Sequence, residues 1–111
     1  MKVDGEGSRT LTSEELLAEL AAIGHPQRLK IIAELAEGRL HVSELARRLG
    51  MSRPLLYMHL QRLEQGGIVI GALELSPEGK AMKFYELTPF EVHVTVETVL
   101  EALHAGQEES E

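Results

Sequence analysis

Hydrophobic residues at helical spacing are concentrated in one stretch of the chain, Val42 to Gly67, where they predict two short helices. Gly50 ends the first helix and Ser52 is placed to cap the second. Pro54 lies in the first turn of the second helix, where its missing N–H removes no hydrogen bond. The turn is therefore about three residues long, which is typical of a helix-turn-helix. The inward-facing residues of the two helices are Leu45, Ala46, Leu49, Leu56, Leu60 and Leu63.

Two further helices are predicted ahead of this unit. The first begins at Thr12, which forms a capping box with Glu15, and ends at Gly24. The second opens at Pro26 and runs to about Ala36. Four helices are thus expected before the periodicity changes.

Beyond the helix-turn-helix the pattern indicates two strands, Ile68 to Leu75 and Ala81 to Leu87, joined by a Pro- and Gly-containing turn at residues 76–79. Thr88-Pro89 then opens a last helix, predicted from Phe90 to about Ala105. The predicted order is α-α-α-α-β-β-α. This is a mainly α fold with a small β-hairpin, in which the hairpin is the wing of a winged helix-turn-helix.

Length and composition indicate one folded domain at residues 12–105, between a disordered N-terminal segment at 1–11 and an acidic tail at 106–111. The 111 residues include no cysteine, which excludes disulfides and thiolate metal sites. No apolar run approaches the roughly 18 residues of a membrane span, and the N-terminus lacks the apolar segment of a signal peptide. We therefore expect a cytoplasmic protein that does not contact a membrane.

The net charge of −7 is unevenly distributed along the chain. Residues 39–90 contain seven Lys/Arg and five Asp/Glu, whereas residues 91–111 contain no basic residue and six acidic ones. Between Arg39 and Arg62 there are five arginines and one acid, Glu44. A positive field therefore coincides with the helix-turn-helix, as expected of a DNA-binding surface.

Catalysis is not expected of this chain. It has no Gly-rich phosphate loop, no nucleophile elbow and no HExxH motif, and its length offers no plausible deep pocket. We therefore predict that it is not an enzyme. The alternative to a DNA-binding protein is a winged-helix protein-interaction module without DNA binding, which the acidic net charge would also fit.

The segments HPQRLKII, HVSELARRLGMSRPLLYMHLQRLEQGGIV and KFYEL resemble the ArsR/SmtB group of winged-helix transcriptional repressors. The resemblance covers roughly residues 12–104. It implies a homodimer that pairs through its first and last helices and binds an inverted-repeat operator in double-stranded DNA with two recognition helices in successive major grooves. Surplus apolar residues on those two helices fit this pairing. The predicted interface residues are Leu16, Leu20, Val92, Val96, Val99, Leu100 and Leu103.

The resemblance also bears on metal sensing. Where the family's thiolate site has Cys-Val-Cys, this chain has residues 41–43, His-Val-Ser, which excludes thiolate sensing of arsenic or cadmium. His93 and His104 are predicted on one face of the last helix. We predict no metal cofactor and expect control by a small organic ligand, a protein partner or expression level, although no motif identifies the effector. The alternative is a zinc-responsive repressor that uses Glu91, His93, His104 and Glu108.

The predicted DNA contacts lie on the helix-turn-helix and the wing. Ser52 and Arg53 are at a helix N-terminus, where backbone N–H groups favour phosphate. Leu55 and Met58 stand where the family usually has small polar residues, and two interpretations remain, contact with thymine methyl groups or packing on another surface. His59 is interpreted either as a DNA contact or as a half-buried histidine at the helix junction. The predicted contacts are Arg47, Arg48, Ser52, Arg53, Tyr57, His59, Arg62, Lys80 and Lys83.

Overall fold

Five helices and a three-stranded sheet make up the part of the chain that the structure describes. The computed structural model describes the backbone of residues 10–109 and the side chains of residues 10–105, so most of the segment at 1–11 predicted to be disordered lies outside the described residues. Ala18–Phe90 form one compact unit, and residues 10–17 with 91–109 form a second. None of the described helices has the length and apolar content needed to cross a membrane. The elements are α1 (Ser13–Ile23), α2 (Pro26–Leu35), β1 (Leu40–His41), α3 (Val42–Leu49), α4 (Arg53–Gln65), β2 (Val69–Leu75), β3 (Ala81–Leu87) and α5 (Val96–Glu109).

The first two helices begin with side-chain caps. Thr12 Oγ1 accepts a hydrogen bond from the Glu15 backbone N–H at 3.1 Å, and a Glu15 carboxylate oxygen accepts one from the Thr12 N–H at 3.0 Å. At the start of α2, His25 Nδ1 accepts from the Gln27 N–H at 3.1 Å. These caps satisfy backbone donors that have no partner inside the helix, and they set the two helix starts close to their predicted positions.

The helix-turn-helix consists of α3 and α4. Gly50 ends α3 with a left-handed φ of 61°, a conformation that glycine adopts without steric cost. Ser52 Oγ accepts from the Leu55 N–H at 3.3 Å and begins α4. The predicted inner face of α4 is confirmed, because Leu56, Leu60 and Leu63 are fully buried in a core shared with α2, α3 and the start of β2. The fully buried core side chains are Ile31, Leu45, Leu56, Leu60, Leu63, Ile68 and Val69.

The predicted wing is an antiparallel hairpin of β2 and β3, in which the Ser76 N–H donates to the Lys80 carbonyl at 2.7 Å and closes the turn. The sequence did not predict β1, which pairs with β3 opposite Phe84 and Tyr85. The sheet order is β1-β3-β2. A strand of two residues is too short to show alternation, so only its pairing with β3 defines it.

The last helix differs from the prediction at both ends, because α5 runs from Val96 to Glu109 and not from Phe90 to about Ala105. Thr88 is not a helix cap. Its N–H donates to the Ile68 carbonyl at 2.9 Å, and its hydroxyl donates to the Gly67 carbonyl at 2.7 Å. Thr88 therefore extends the pairing between the end of β3 and the start of β2.

A threonine pair sets the true start of α5. Thr95 Oγ1 accepts from the Thr98 N–H at 3.1 Å, and Thr98 Oγ1 accepts from the Thr95 N–H at 2.8 Å. The preceding residues 92–95 are Val-His-Val-Thr, and β-branched side chains disfavour a helix. The consequence is that His93 lies before the helix.

Candidate nucleic-acid interface

The outer side of α4 presents two arginines to solvent. The Arg62 side chain has no hydrogen-bond or ion-pair partner among the described residues. Arg53 donates a hydrogen bond to the Ser43 hydroxyl of α3, which joins the start of α4 to the preceding helix and leaves the guanidinium charge uncompensated. Tyr57 is exposed on the same helix. These three predicted contacts are therefore accessible.

The start of α4 also offers polar groups to an anion. Ser52 is exposed, and its oxygen accepts the cap hydrogen bond from Leu55, which leaves the hydroxyl proton free to donate. Pro54 occupies the first turn, where backbone donors would otherwise be unpaired. The positive end of the helix dipole lies here, beside the Arg53 side chain. This arrangement can hold a phosphate oxygen.

Arg47 and Arg48, also predicted to contact phosphate, are already paired with carboxylates. Glu44 accepts hydrogen bonds from Arg47 Nε at 3.1 Å and from Arg48 Nε at 3.0 Å. Arg48 also donates to Glu34 at 3.3 Å. Hydrogen bonds from Arg47 and Arg48 lower the pKa of Glu44 to about 2, so the carboxylate stays ionised in acidic as well as in neutral solution. This network was not predicted from the sequence, although the i, i+3 and i, i+4 spacing from Glu44 indicates it.

His59 was predicted as a possible DNA contact, but the structure places it in the interior. Its side chain is only 2% exposed, and its Nδ1 accepts a hydrogen bond from Arg28 Nε at 3.1 Å. The His25 ring lies 4.7 Å from the His59 ring, centroid to centroid. Burial, followed by the charges of His25 and Arg28, lowers the pKa of His59, so the neutral imidazole is favoured. Its position on the inward stripe of α4 makes it a junction between α2 and α4, and it does not reach the outer surface.

The wing places its lysines in different environments. Lys80 is exposed beside the turn, where its backbone N–H donates to Ser76 Oγ at 3.0 Å. Lys83 is half-buried, with its ammonium nitrogen 5.7 Å from the centroid of the Tyr85 ring. Lys80 is therefore the more accessible of the two predicted wing contacts.

In the unit that contains α5, apolar side chains face solvent. Val96 is 72% exposed and Leu100 is 60% exposed, and with Val99 and Leu103 they follow the spacing of one helical stripe. Leu16 does not belong to such a surface, because it is only 7% exposed in the single chain. Leu20 and Val92 are half-buried. The exposed apolar residues of this unit therefore include the stripe on α5 and also Leu17 of α1, which is 63% exposed.

The predicted geometry for zinc on the last helix is wrong. His93 precedes α5, so it does not share a helical face with His104. Within the described residues, no group of three or more His, Cys, Asp and Glu side chains could hold a metal ion. His93 Nε2 lies 3.7 Å from a Glu91 carboxylate oxygen, and both side chains are well exposed. The side chain of Glu108 lies outside the described residues.

A helix-turn-helix followed by a β-hairpin, with an uncompensated basic helix face, defines the winged-helix class of transcriptional regulators. Residues 25–70 match the family model described as bacterial regulatory protein, arsR family. The chain is 32% identical over 78 residues to an HTH-type transcriptional regulator of Methanocaldococcus jannaschii, which covers 70% of this chain and 81% of that protein. The chain therefore belongs to the ArsR family of transcriptional regulators.

Other relatives agree with this assignment. The biofilm growth-associated repressor of Xylella fastidiosa is 35% identical over 57 residues, which cover 51% of this chain and 50% of the repressor. The structure is similar to reduced HlyU from Vibrio cholerae, with a TM-score of 0.58 and 28% identity over 81% of this chain and 83% of HlyU. It is also similar to the transcriptional repressor BigR from Xylella fastidiosa, with a TM-score of 0.57 and 27% identity over 81% of this chain and 78% of BigR.

Proposed function

We propose that the chain represses transcription by binding an inverted-repeat operator as a homodimer, with α4 of each protomer in a major groove of double-stranded DNA. The observation that carries this proposal is the outer side of α4. From Arg53 to Arg62 it bears two cations without carboxylate partners and no acidic residue. The inner side of the same helix is fully buried, so the core fixes the helix from which these side chains project.

The wing and the turn extend this surface. Lys80 at the turn of the hairpin is exposed and can neutralise a phosphate beside the groove that α4 enters. Ser52 can donate to a phosphate at the N-terminus of α4. These contacts position the protein, whereas the side chains in the middle of α4 read the bases.

Dimerisation is supported by the stripe on α5. Val96, Val99, Leu100 and Leu103 are exposed side by side, and a contiguous apolar face of this kind is typical of an interface. A twofold interface relates the two copies of α4 by symmetry, and a twofold dimer of helix-turn-helix proteins binds an inverted-repeat site. The repressor names of the similar Xylella fastidiosa proteins support repression as the outcome of binding.

The DNA-binding proposal is tested by a gel shift with the purified chain and the promoter region of its own operon, at low and at moderate salt. We expect a discrete complex that survives an excess of unrelated duplex and weakens as salt increases. Absence of any complex with the promoter or with a random duplex pool at low salt would contradict the proposal. That result would favour a winged-helix module that binds proteins.

The dimer proposal is tested by sedimentation of Leu100→Glu. A glutamate in the centre of an apolar interface would be a buried, unpaired charge, so the variant should sediment as a monomer. The matched control is Leu75→Glu, which introduces the same charge at an exposed leucine of the wing and should leave the dimer intact. A Leu100→Glu variant that remained dimeric would place the interface elsewhere.

A further inference from the structure

Two large apolar side chains lie in the middle of the basic surface of α4. Leu55 is 43% exposed and Met58 is 48% exposed, and neither belongs to the core of the unit. Leu55, Met58 and Arg62 are spaced i, i+3 and i+7, so they follow one another along one side of the helix. The fully buried residues Leu56 and Leu60 face the other way. An apolar pair is therefore held on the outside of a fixed helix, in line with an unpaired cation.

We propose that Leu55 and Met58 recognise the 5-methyl groups of thymine, so that the operator half-site has thymines at the positions these side chains reach. The inference rests on the proposed DNA binding and adds its base specificity. The thymine methyl is the apolar group that base pairs present in the major groove, and aliphatic side chains contact it without a hydrogen bond. Polar edges of the other bases would leave Leu55 and Met58 against unpaired donors or acceptors.

The charge around the pair favours DNA as the occupant of this surface. Arg62 follows Met58 on the same side of α4, and Arg53 stands at the N-terminal end of the helix. The first carboxylate along the helix is Glu64, beyond Arg62. Arg62 therefore places a cation in line with the apolar pair, and Arg53 adds a second cation at the N-terminal end of the helix. This arrangement complements a groove whose floor carries methyl groups and whose walls carry phosphates.

Helix α4 also carries an exposed amide side chain that can recognise a base. Gln61 lies on the outer side of α4 and is exposed. A glutamine amide can donate to N7 and accept from N6 of adenine, the partner of thymine. Leu55, Met58 and Gln61 together therefore fit a half-site rich in A·T pairs.

The test uses the full chain and a site that it selects from random duplex DNA. Each thymine of the selected half-site is then replaced by deoxyuridine, which removes the methyl group and keeps every base-pairing group. Loss of one buried methyl is expected to weaken binding about fourfold in Kd. We expect this loss at one or two positions of each half-site and little change at the others.

Protein variants assign the effect to the side chains. Leu55→Ala and Met58→Ala should each lose the sensitivity to deoxyuridine at one position while binding the thymine and deoxyuridine duplexes with similar Kd. Both residues are exposed, so circular dichroism should show an unchanged fold. The control is Leu29→Ala, which shortens an exposed leucine of α2 and should keep the full sensitivity to deoxyuridine.

The outcomes separate this inference from the proposed function. Failure to select or bind any duplex would contradict DNA binding itself. Tight, salt-dependent binding with no effect of deoxyuridine would overturn methyl recognition and leave the proposed function standing. The same conclusion would follow if deoxyuridine weakened binding by both alanine variants as much as it weakens binding by the wild-type chain. In that case Leu55 and Met58 would pack against a surface other than thymine methyl groups.

Discussion

Replacing Glu44 with glutamine tests whether the end of α3 faces DNA phosphates. The Glu44 carboxylate accepts from Arg47 Nε at 3.1 Å and from Arg48 Nε at 3.0 Å. Because these hydrogen bonds lower the pKa of Glu44 to about 2, the group is ionised over the whole range in which DNA binding is measured. It therefore cancels one of two adjacent positive charges. The Glu44→Gln variant keeps the side-chain shape and removes that cancellation.

The size of the effect follows from the partners of each arginine. Arg48 retains Glu34 at 3.3 Å, whereas Arg47 has no other acceptor among the described residues, so one arginine becomes free. One additional phosphate contact changes the slope of log affinity against log salt by about −0.9. Binding at 0.1 M salt should then be about eightfold tighter than wild type, and the gain should shrink towards 1 M salt.

Fluorescence anisotropy with the selected duplex, at several salt concentrations between about 50 and 200 mM, measures both affinity and slope. Surface ion pairs contribute little to folding, so the melting temperature should change little. Glu37→Gln is the matched control, because it removes the same charge from an exposed side chain just after α2. If Glu44→Gln bound no more tightly than Glu37→Gln at any salt, Arg47 and Arg48 would not contact phosphate, and the reasoning would be refuted.

Two further predictions concern folding. Burial beside His25 and Arg28 lowers the pKa of His59, so the unfolded chain binds the proton more readily than the folded chain. The contribution of neutral His59 to the free energy of unfolding is therefore fully present above about pH 6.5 and decreases as the pH falls below that value. Urea unfolding at about pH 7.5 and pH 5.5 measures this loss, and equal stabilities would contradict it. Gly66→Ala should destabilise the fold by about 1–3 kcal/mol, because the new Cβ would lie 2.6 Å from Ala22 Cβ and 2.9 Å from the Ala18 carbonyl oxygen. A thermal midpoint equal to that of wild type would show that this close approach is absent.

Local signals in the sequence were sufficient to predict the helix-turn-helix. The Thr12 and Ser52 caps, the glycine after α3 and the period of the buried leucines all act over a few residues. The wing was predicted for the same reason, because its turn carries Pro and Gly between two strands. Where the local sequence preference and the tertiary packing favour the same structure, the hydrophobic pattern alone is sufficient to predict the helix or strand.

The start of the last helix required information from outside its own segment. Thr88-Pro89 has the form of a cap followed by a first-turn proline, yet the carbonyls of Gly67 and Ile68 bind Thr88 to the sheet. That pairing spans about twenty residues of sequence, so no local rule reveals it. The error shifted the helix start and placed His93 and His104 on a common face that does not exist.

The sequence predicted which residues form the candidate site, but it predicted the exposure and the partners of only some of them. Arg53 and Arg62 are accessible as expected. His59 is buried because it lies on the inward stripe of α4, where Arg28, 31 residues away in sequence, donates a hydrogen bond to its ring. The Arg39 side chain, part of the predicted basic field, pairs with Glu74 and covers the Phe84 ring at 4.2 Å. The number of arginines in the sequence is therefore larger than the number whose charge is not already paired with a carboxylate.

The salt dependence of affinity tests most directly whether Arg53 and Arg62 of α4 contact the DNA backbone or bases. The measurement compares wild type with an Arg53→Ala/Arg62→Ala variant, with Lys30→Ala on α2 as the control for loss of an exposed cation. We expect weaker binding by the double variant and a log–log slope shallower by about 1.8, with Lys30→Ala close to wild type. A double variant with the affinity and slope of the wild-type chain would contradict the docking of α4 in DNA.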